Sequence, residues 1–158
     1  MPKIDIESAV LRSGSSYPAP FDQPCLARAR RKLGDVHGLT QFGVNLLSLP
    51  PGAWSSQRHW HSAEDEFIWV VEGEVVLADD EGEHLLRAGD CAGFKAGVAN
   101  GHHLINRSDR EATVLEVGGR EPDHDLCDYP DVDMTAGPDG YRHRDGAPYA
   151  DPSAAPGR

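Results

Sequence analysis

Basic charge, cysteine pairs, long apolar runs and helical periodicity are all scarce in this sequence. Its 158 residues hold 26 acidic against 15 basic side chains, a net charge of −11. Such a surface repels phosphate backbones, so no nucleic-acid partner is expected. The one basic cluster, Arg28, Arg30, Arg31 and Lys32, reads as a solvated strand edge rather than a phosphate site. Cys25, Cys91 and Cys127 are widely spaced and form no C-x-x-C, which suits reduced thiols in a cytoplasmic protein and not a disulfide framework. Cys91, with only Lys95 as a basic neighbour, is expected to be buried and inert. No apolar run approaches the roughly 20 residues of a membrane span. The N-terminus, MPKIDIESAV, lacks the basic start and apolar stretch of a secretion signal, so neither secretion nor a membrane partner is expected. No G-x-S-x-G, P-loop or dinucleotide fingerprint occurs, which weakens serine-hydrolase and nucleotide readings.

What is present falls into three stretches. Residues 1–24 contain four prolines and few patterned apolar positions and read as an irregular N-terminal arm. Residues 25–120 hold most of the aliphatic and aromatic content. Residues 121–158 contain six prolines, four glycines and eight aspartates, a composition that cannot sustain a core of its own. In that tail Tyr129, Val132, Met134, Tyr141 and Tyr149 are placed to pin it across the core as an extended wrap. Its distal end, residues 146–158, is expected to be mobile.

Short strands account for the central region. Phe42, Val44 and Leu46 alternate with Gly43, Asn45 and Leu47 until Pro50-Pro51-Gly52 stops the run. EFIWVVE (66–72) is β-branched and aromatic, Gly73 interrupts, and EVVLA (74–78) resumes. Asp79-Asp80-Glu81-Gly82 signals a hairpin before EHLLR (83–87), and HHLI (102–105) and ATVLEV (112–117) follow. Runs this short, broken regularly by Gly, Asp and Pro, indicate an all-β sandwich or barrel.

Chemistry gathers around His59-Trp60-His61. In a strand, residues two apart project to one face, so both imidazoles can reach one point. Glu66 opens the next strand on the face that also carries Ile68 and Val70. A carboxylate on an apolar face is costly unless it is paired or bound to a cation, and beside two convergent histidines it reads as a third ligand. Only one of His102 and His103 can join them, because successive strand residues point oppositely. Imidazoles with one carboxylate suit Fe, Mn, Ni, Zn, Co or Cu without selecting among them. Gln57 shares parity with His59 and either orients a substrate in the cavity or makes a structural hydrogen bond. Trp54 and Phe94 are placed to rim the pocket mouth. Trp60, Phe67, Trp69 and Val71 lie on the face opposite the ligands. An exposed aromatic sheet face often marks an interface, so a homodimer is expected there, partly covered by the N-terminal arm.

These motifs resemble those of the cupins, small jelly-roll barrels. The first cupin motif reads Gly, five residues, His-x-His, three or four residues, Glu, six residues, Gly. Here Gly52, His59, His61, Glu66 and Gly73 match it, with six residues instead of five after Gly52. The second motif reads Gly, five residues, Pro-x-Gly, two residues, His, three residues, Asn. Gly89, Gly97 and Asn106 match, Lys95 replaces the proline, and Asn100 stands where His is expected. His102 restores the spacing to Asn106 after a two-residue displacement. The resemblance spans about residues 40–120. It implies an all-β double-stranded β-helix, or jelly-roll barrel, with a divalent transition metal held inside by His59, His61, Glu66 and His102.

Two functions follow as expectations. Three His and one Glu leave up to two octahedral positions for substrate or dioxygen, which favours an enzyme acting on a small oxygen-rich molecule. Oxygenase, isomerase and lyase chemistry all occur on similar cupins, so the fold does not choose among them. The alternative is a non-catalytic module that binds a sugar or small acid.

Overall fold

A computed structural model describes residues 3–150. Thirteen strands and three single turns of 3-10 helix build it, and no α-helix occurs among the described residues. None of its helices is long and apolar enough to cross a membrane. The strands are β1 (Leu11–Ser13), β2 (Ala29–Lys32), β3 (Phe42–Leu49), β4 (Trp60–His61), β5 (Glu66–Glu72), β6 (Glu74–Asp79), β7 (Gly82–Arg87), β8 (Cys91–Phe94), β9 (His103–Ile105), β10 (Ala112–Gly119), β11 (Cys127–Tyr129), β12 (Met134–Gly137) and β13 (Gly140–Arg142). They form a six-stranded sheet in the order β1-β2-β3-β10-β5-β8, a four-stranded sheet β13-β12-β11-β4, and a three-stranded sheet β7-β6-β9. Every strand pairing is antiparallel. The fold is the all-β jelly roll expected of the resemblance.

Alternation decides which face is inside. On β5, Ile68 and Val70 are buried while Phe67, Trp69 and Val71 are exposed. The register sets Val114 of β10 between Leu47 and Val70, and Leu115 between Leu46 and Trp69. One face therefore feeds a core of Leu47, Leu49, Ile68, Val70, Val75 and Val114, each fully buried aliphatic contributing about 1.5–3 kcal/mol. Gly73 lets the chain leave β5 in the large sheet and start β6 in the small one. Its φ is +77°, and a Cβ there would lie 2.9 Å from the Glu111 carbonyl oxygen, so only glycine fits without strain. The expected hairpin forms with Asp79 opposite Gly82, its turn held by the Asp79 carboxylate accepting from the Glu81 and Gly82 amides.

Arm and tail meet in a second apolar cluster. Tyr17 and Cys25 from the N-terminal side pack with Cys127, Tyr129 and Met134, and Phe21, Val132, Tyr141 and Tyr149 close round them. The last of these donates its hydroxyl to the Asp133 carbonyl oxygen and stacks on His143 at 3.8 Å. The mobility expected of residues 146–158 thus meets a pinned chain at Tyr149, and beyond Ala150 it lies outside the described residues.

Three expectations are corrected. The Arg28–Lys32 segment is no solvated edge: β2 is paired on both sides, by β1 and β3, and Arg28 is buried. Cys91 is exposed on β8, a strand at the border of its sheet, whereas Cys25 and Cys127 are buried. Trp60 does not share the Phe67–Trp69–Val71 face, because β4 pairs with β11 in another sheet and the indole is half-buried there. The arm contributes β1 to the edge of the large sheet and packs Tyr17 and Phe21 into the second cluster.

Candidate metal centre

Three strands bring the candidate ligands together. His59 immediately precedes β4, and its backbone bridges His102, with the His59 amide donating to the His102 carbonyl at 3.1 Å and the reverse bond at 2.8 Å. His61 ends β4, and Glu66 opens β5 after a four-residue connection. The Glu66 carboxylate oxygen Oε2 then lies 3.0 Å from His102 Nε2 and 3.8 Å from the Nε2 atoms of both His59 and His61. His103 points elsewhere: its Nδ1 lies 3.1 Å from the Ser56 carbonyl oxygen, and its ring meets Trp54 edge-on at 4.6 Å.

The outer nitrogens of two rings decide where their lone pairs sit. His59 Nδ1 is 2.9 Å from the Gln57 carbonyl oxygen, and His61 Nδ1 is 2.6 Å from the Asp125 carboxylate. Both partners only accept, so each Nδ1 carries the hydrogen, and a neutral ring has its lone pair on Nε2. Burial is the main cause that lowers the His59 pKa to about 4, partly opposed by Glu66. Burial of Glu66 acts to raise its own pKa, but the His102 hydrogen bond and the surrounding imidazoles bring it down to about 2. Lone pairs facing a carboxylate are repulsive unless a cation lies between them. The donor chemistry therefore fits a divalent transition ion. His102 differs from the other two rings. Its Nδ1 is buried with no hydrogen-bond partner among the described residues, and its orientation comes from Phe94, stacked parallel at 3.5 Å.

Several residues around the cluster carry no signal in the sequence. Asp125 belongs to the Asp-rich tail, yet it accepts from the Ala63 amide at 2.8 Å as well as from His61, the pattern by which outer carboxylates orient metal-binding histidines. Burial would raise its pKa, but these hydrogen bonds lower it, so it is ionised at neutral pH. Tyr129 stacks on His59 at 5.7 Å. Cys127 lies with His59 and His61 in a group of potential ligand atoms within 4.8 Å of one another. Burial pushes its thiol up to about 12, so at neutral pH it is a protonated neighbour and not a thiolate donor. All three arrive because β11 pairs with β4, Cys127 opposite His61.

The cluster opens into a cavity of about 430 Å³, whose wall includes His59, His61, Glu66, His102 and Phe94, a size that suits a small molecule. Gln57 is absent from that wall, and its Nε2 donates to the Phe21 carbonyl at 2.6 Å, tying down the arm. Regular strand begins only at Trp60, so the parity that linked Gln57 to the histidines does not extend back to it. Phe94 lines the cavity, whereas Trp54 packs against His103 and the second apolar cluster.

Residues 45–118 match the cupin domain family. A protein from Silicibacter pomeroyi, described as a sugar phosphate isomerase of the cupin superfamily, is 46% identical over 94% of this chain and 97% of its own, with a TM-score of 0.87. A provisionally described sugar phosphate isomerase from Acidithiobacillus ferrooxidans is 25% identical over 84% of this chain and 81% of its own, with a TM-score of 0.68. A polyketide cyclase from Streptomyces resistomycificus shares the fold, at 19% identity over 77% of this chain and 80% of its own and a TM-score of 0.62. No curated protein matches this chain by sequence.

Proposed function

This chain belongs to the cupin superfamily, and we propose that it is a metal-dependent enzyme that isomerises a small phosphorylated sugar. The observation that carries the reading is the convergence of three imidazole nitrogens on the Glu66 carboxylate inside an open cavity. His59, His61, Glu66 and His102 are the ligands of one divalent transition metal in this reading. The isomerase identity is borrowed from the Silicibacter protein at 46% identity, and lyase or oxygenase chemistry on the same scaffold is the competing outcome.

When bound, the metal would act as a Lewis acid on the substrate's carbonyl and hydroxyl oxygens. The remaining work falls to side chains. Asp125 holds His61 in one tautomer, and Phe94 fixes the plane of His102. Glu64 also lines the cavity; its Oε1 accepts from the Glu121 amide at 2.7 Å and its Oε2 has no hydrogen bond among the described residues. In this reading that free oxygen takes a proton from one carbon of the substrate and returns it to the next, while the hydroxyl proton passes between the two substrate oxygens. The reading includes a homodimer through the exposed Phe67–Trp69–Val71 face and a cytoplasmic location, in keeping with three unpaired thiols.

The test is reconstitution with Fe(II), Mn(II), Ni(II), Co(II) and Zn(II) in turn, following aldose–ketose exchange by NMR together with oxygen uptake. His102→Ala is expected to lower metal content and His103→Ala to leave it unchanged. Sugars or small acids that bind without turnover in every metal form would establish a non-catalytic binding module instead.

A further inference from the structure

Four cationic side chains, Arg28, Arg30, Lys32 and Arg120, line the same cavity as the histidine cluster, although the chain as a whole carries a charge of −11. Three of them are paired. Arg30 forks onto the Glu116 carboxylate at 2.7 and 2.9 Å. Arg120 lies 2.6 Å from Asp35, and Lys32 lies 3.9 Å from the same residue. Arg28 is the exception. It is 8% exposed, yet no carboxylate comes within 4.0 Å of its guanidinium among the described residues. Nε donates to the Gly14 carbonyl at 3.0 Å and Nη1 to the Ser55 carbonyl, while Nη2 has no hydrogen bond among the described residues. Nor is Nη2 a sealed orphan, because the one buried unpartnered side-chain atom among the described residues is His102 Nδ1.

A guanidinium this deeply buried is costly without a counter-charge. The two carbonyls and the Tyr17 ring, 5.4 Å from the guanidinium carbon, hold its plane in place without neutralising it. Burial keeps the Tyr17 phenol protonated, and the hydroxyl-bearing Tyr17, Ser56 and Tyr141 also line this cavity. A guanidinium held in one plane with one nitrogen free, hydroxyl groups in the same wall and a charge left unpaired together suit an oxyanion.

We propose that Arg28 is the anchor for the oxyanionic end of the substrate, a phosphoryl or carboxylate group that enters the cavity and completes its charge balance. The substrate is thereby held at two points, its anionic end on Arg28 and its carbonyl and hydroxyl oxygens toward His59, His61, Glu66 and His102. This deepens the reading above, on which it rests for the substrate being small and oxygen-rich.

The test uses the full chain, metal-free and metal-loaded, labelled with ¹⁵N-arginine so that the Arg28 Nε–H resonance is followed by NMR. Inorganic phosphate and acetate are titrated separately, with chloride as the control. Saturable movement of that resonance with phosphate alone assigns a phosphoryl end, and movement with acetate alone assigns a carboxylate end. Arg28→Lys, which keeps the charge but loses the fork, is expected to weaken binding of the effective anion by about tenfold or more. Should Arg28→Lys fail to fold, the wild-type titration decides by itself. A resonance unmoved by both anions overturns the proposal, as does equal anion affinity in a folded Arg28→Lys. Phosphate binding in the metal-free protein is independent of turnover. If phosphate engages Arg28 while no metal form turns anything over, the subsite stands and the catalytic reading fails. Turnover of a phosphorylated sugar with an unchanged KM in Arg28→Lys does the reverse.

Discussion

Replacing Asp125 by Asn changes the candidate centre without touching any of its four proposed ligands. The side chain is 10% exposed and lies 2.6 Å from His61 Nδ1, while its other oxygen accepts from the Ala63 amide at 2.8 Å. Asparagine has the same shape but one acceptor oxygen. If that oxygen stays with Ala63, the amide nitrogen faces His61 Nδ1 and can only donate. The imidazole must then move its hydrogen to Nε2, which removes the lone pair from the cluster. If the amide flips, Ala63 loses its acceptor and His61 exchanges a charged acceptor for a neutral one. Either way the expected loss in metal affinity is about 10–100-fold, or about 1.4–2.7 kcal/mol. Competition against a chromophoric chelator with Zn(II) or Co(II) at pH 7 measures it, with thermal unfolding of the metal-free protein as the control for folding. A folded Asp125→Asn that binds metal within twofold of wild type would refute the claim that Asp125 orients His61.

Asn106 is fully buried and donates to the Leu49 and Arg110 carbonyls at 2.6 and 2.7 Å; Asn106→Ala removes both bonds, leaving the Arg110 carbonyl with the Ser108 hydroxyl, and urea unfolding should show a loss of about 2–4 kcal/mol, a loss below about 1 kcal/mol counting against that role. Light scattering at micromolar concentration should report a dimer, and Trp69→Lys, which sets a charge in the exposed face beside Phe67 and Val71, should yield a monomer; a monomeric wild type removes the interface. Asp131, Asp35 and Glu83 have pKa values held low by their hydrogen bonds to Arg58, Arg120 and Arg107. Depressed folded-state values mean that the stability they contribute is present above the ordinary carboxylate range and is lost as pH falls below about 4; a denaturation midpoint flat from neutral pH to that range and below would contradict it.

What could be read from the chain alone was whatever short-range order controls. Alternation along residues 66–72 and the Asp79–Gly82 turn specify a strand and a hairpin locally, because side-chain direction in a strand depends only on parity and the turn on its own residues. His59, His61 and Glu66 were legible as a cluster for the same reason: they lie within eight positions of one another across a single connection. His102 needed more than parity, since His103 stands beside it, and the cupin spacing to Asn106 supplied the choice. Parity failed at Gln57, where the chain is not yet a strand. Asp125, Cys127 and Tyr129 were silent, because the tail's composition does not encode that β11 will pair with β4. The Arg28–Lys32 run carries no sign of its place in the sheet, since a basic segment looks alike whether it borders a sheet or lies within one. Long-range strand pairing decides what surrounds a charge: it placed Asp125 against His61 across 64 positions of sequence, and it buried Arg28 in the cavity wall with no carboxylate within 4.0 Å among the described residues.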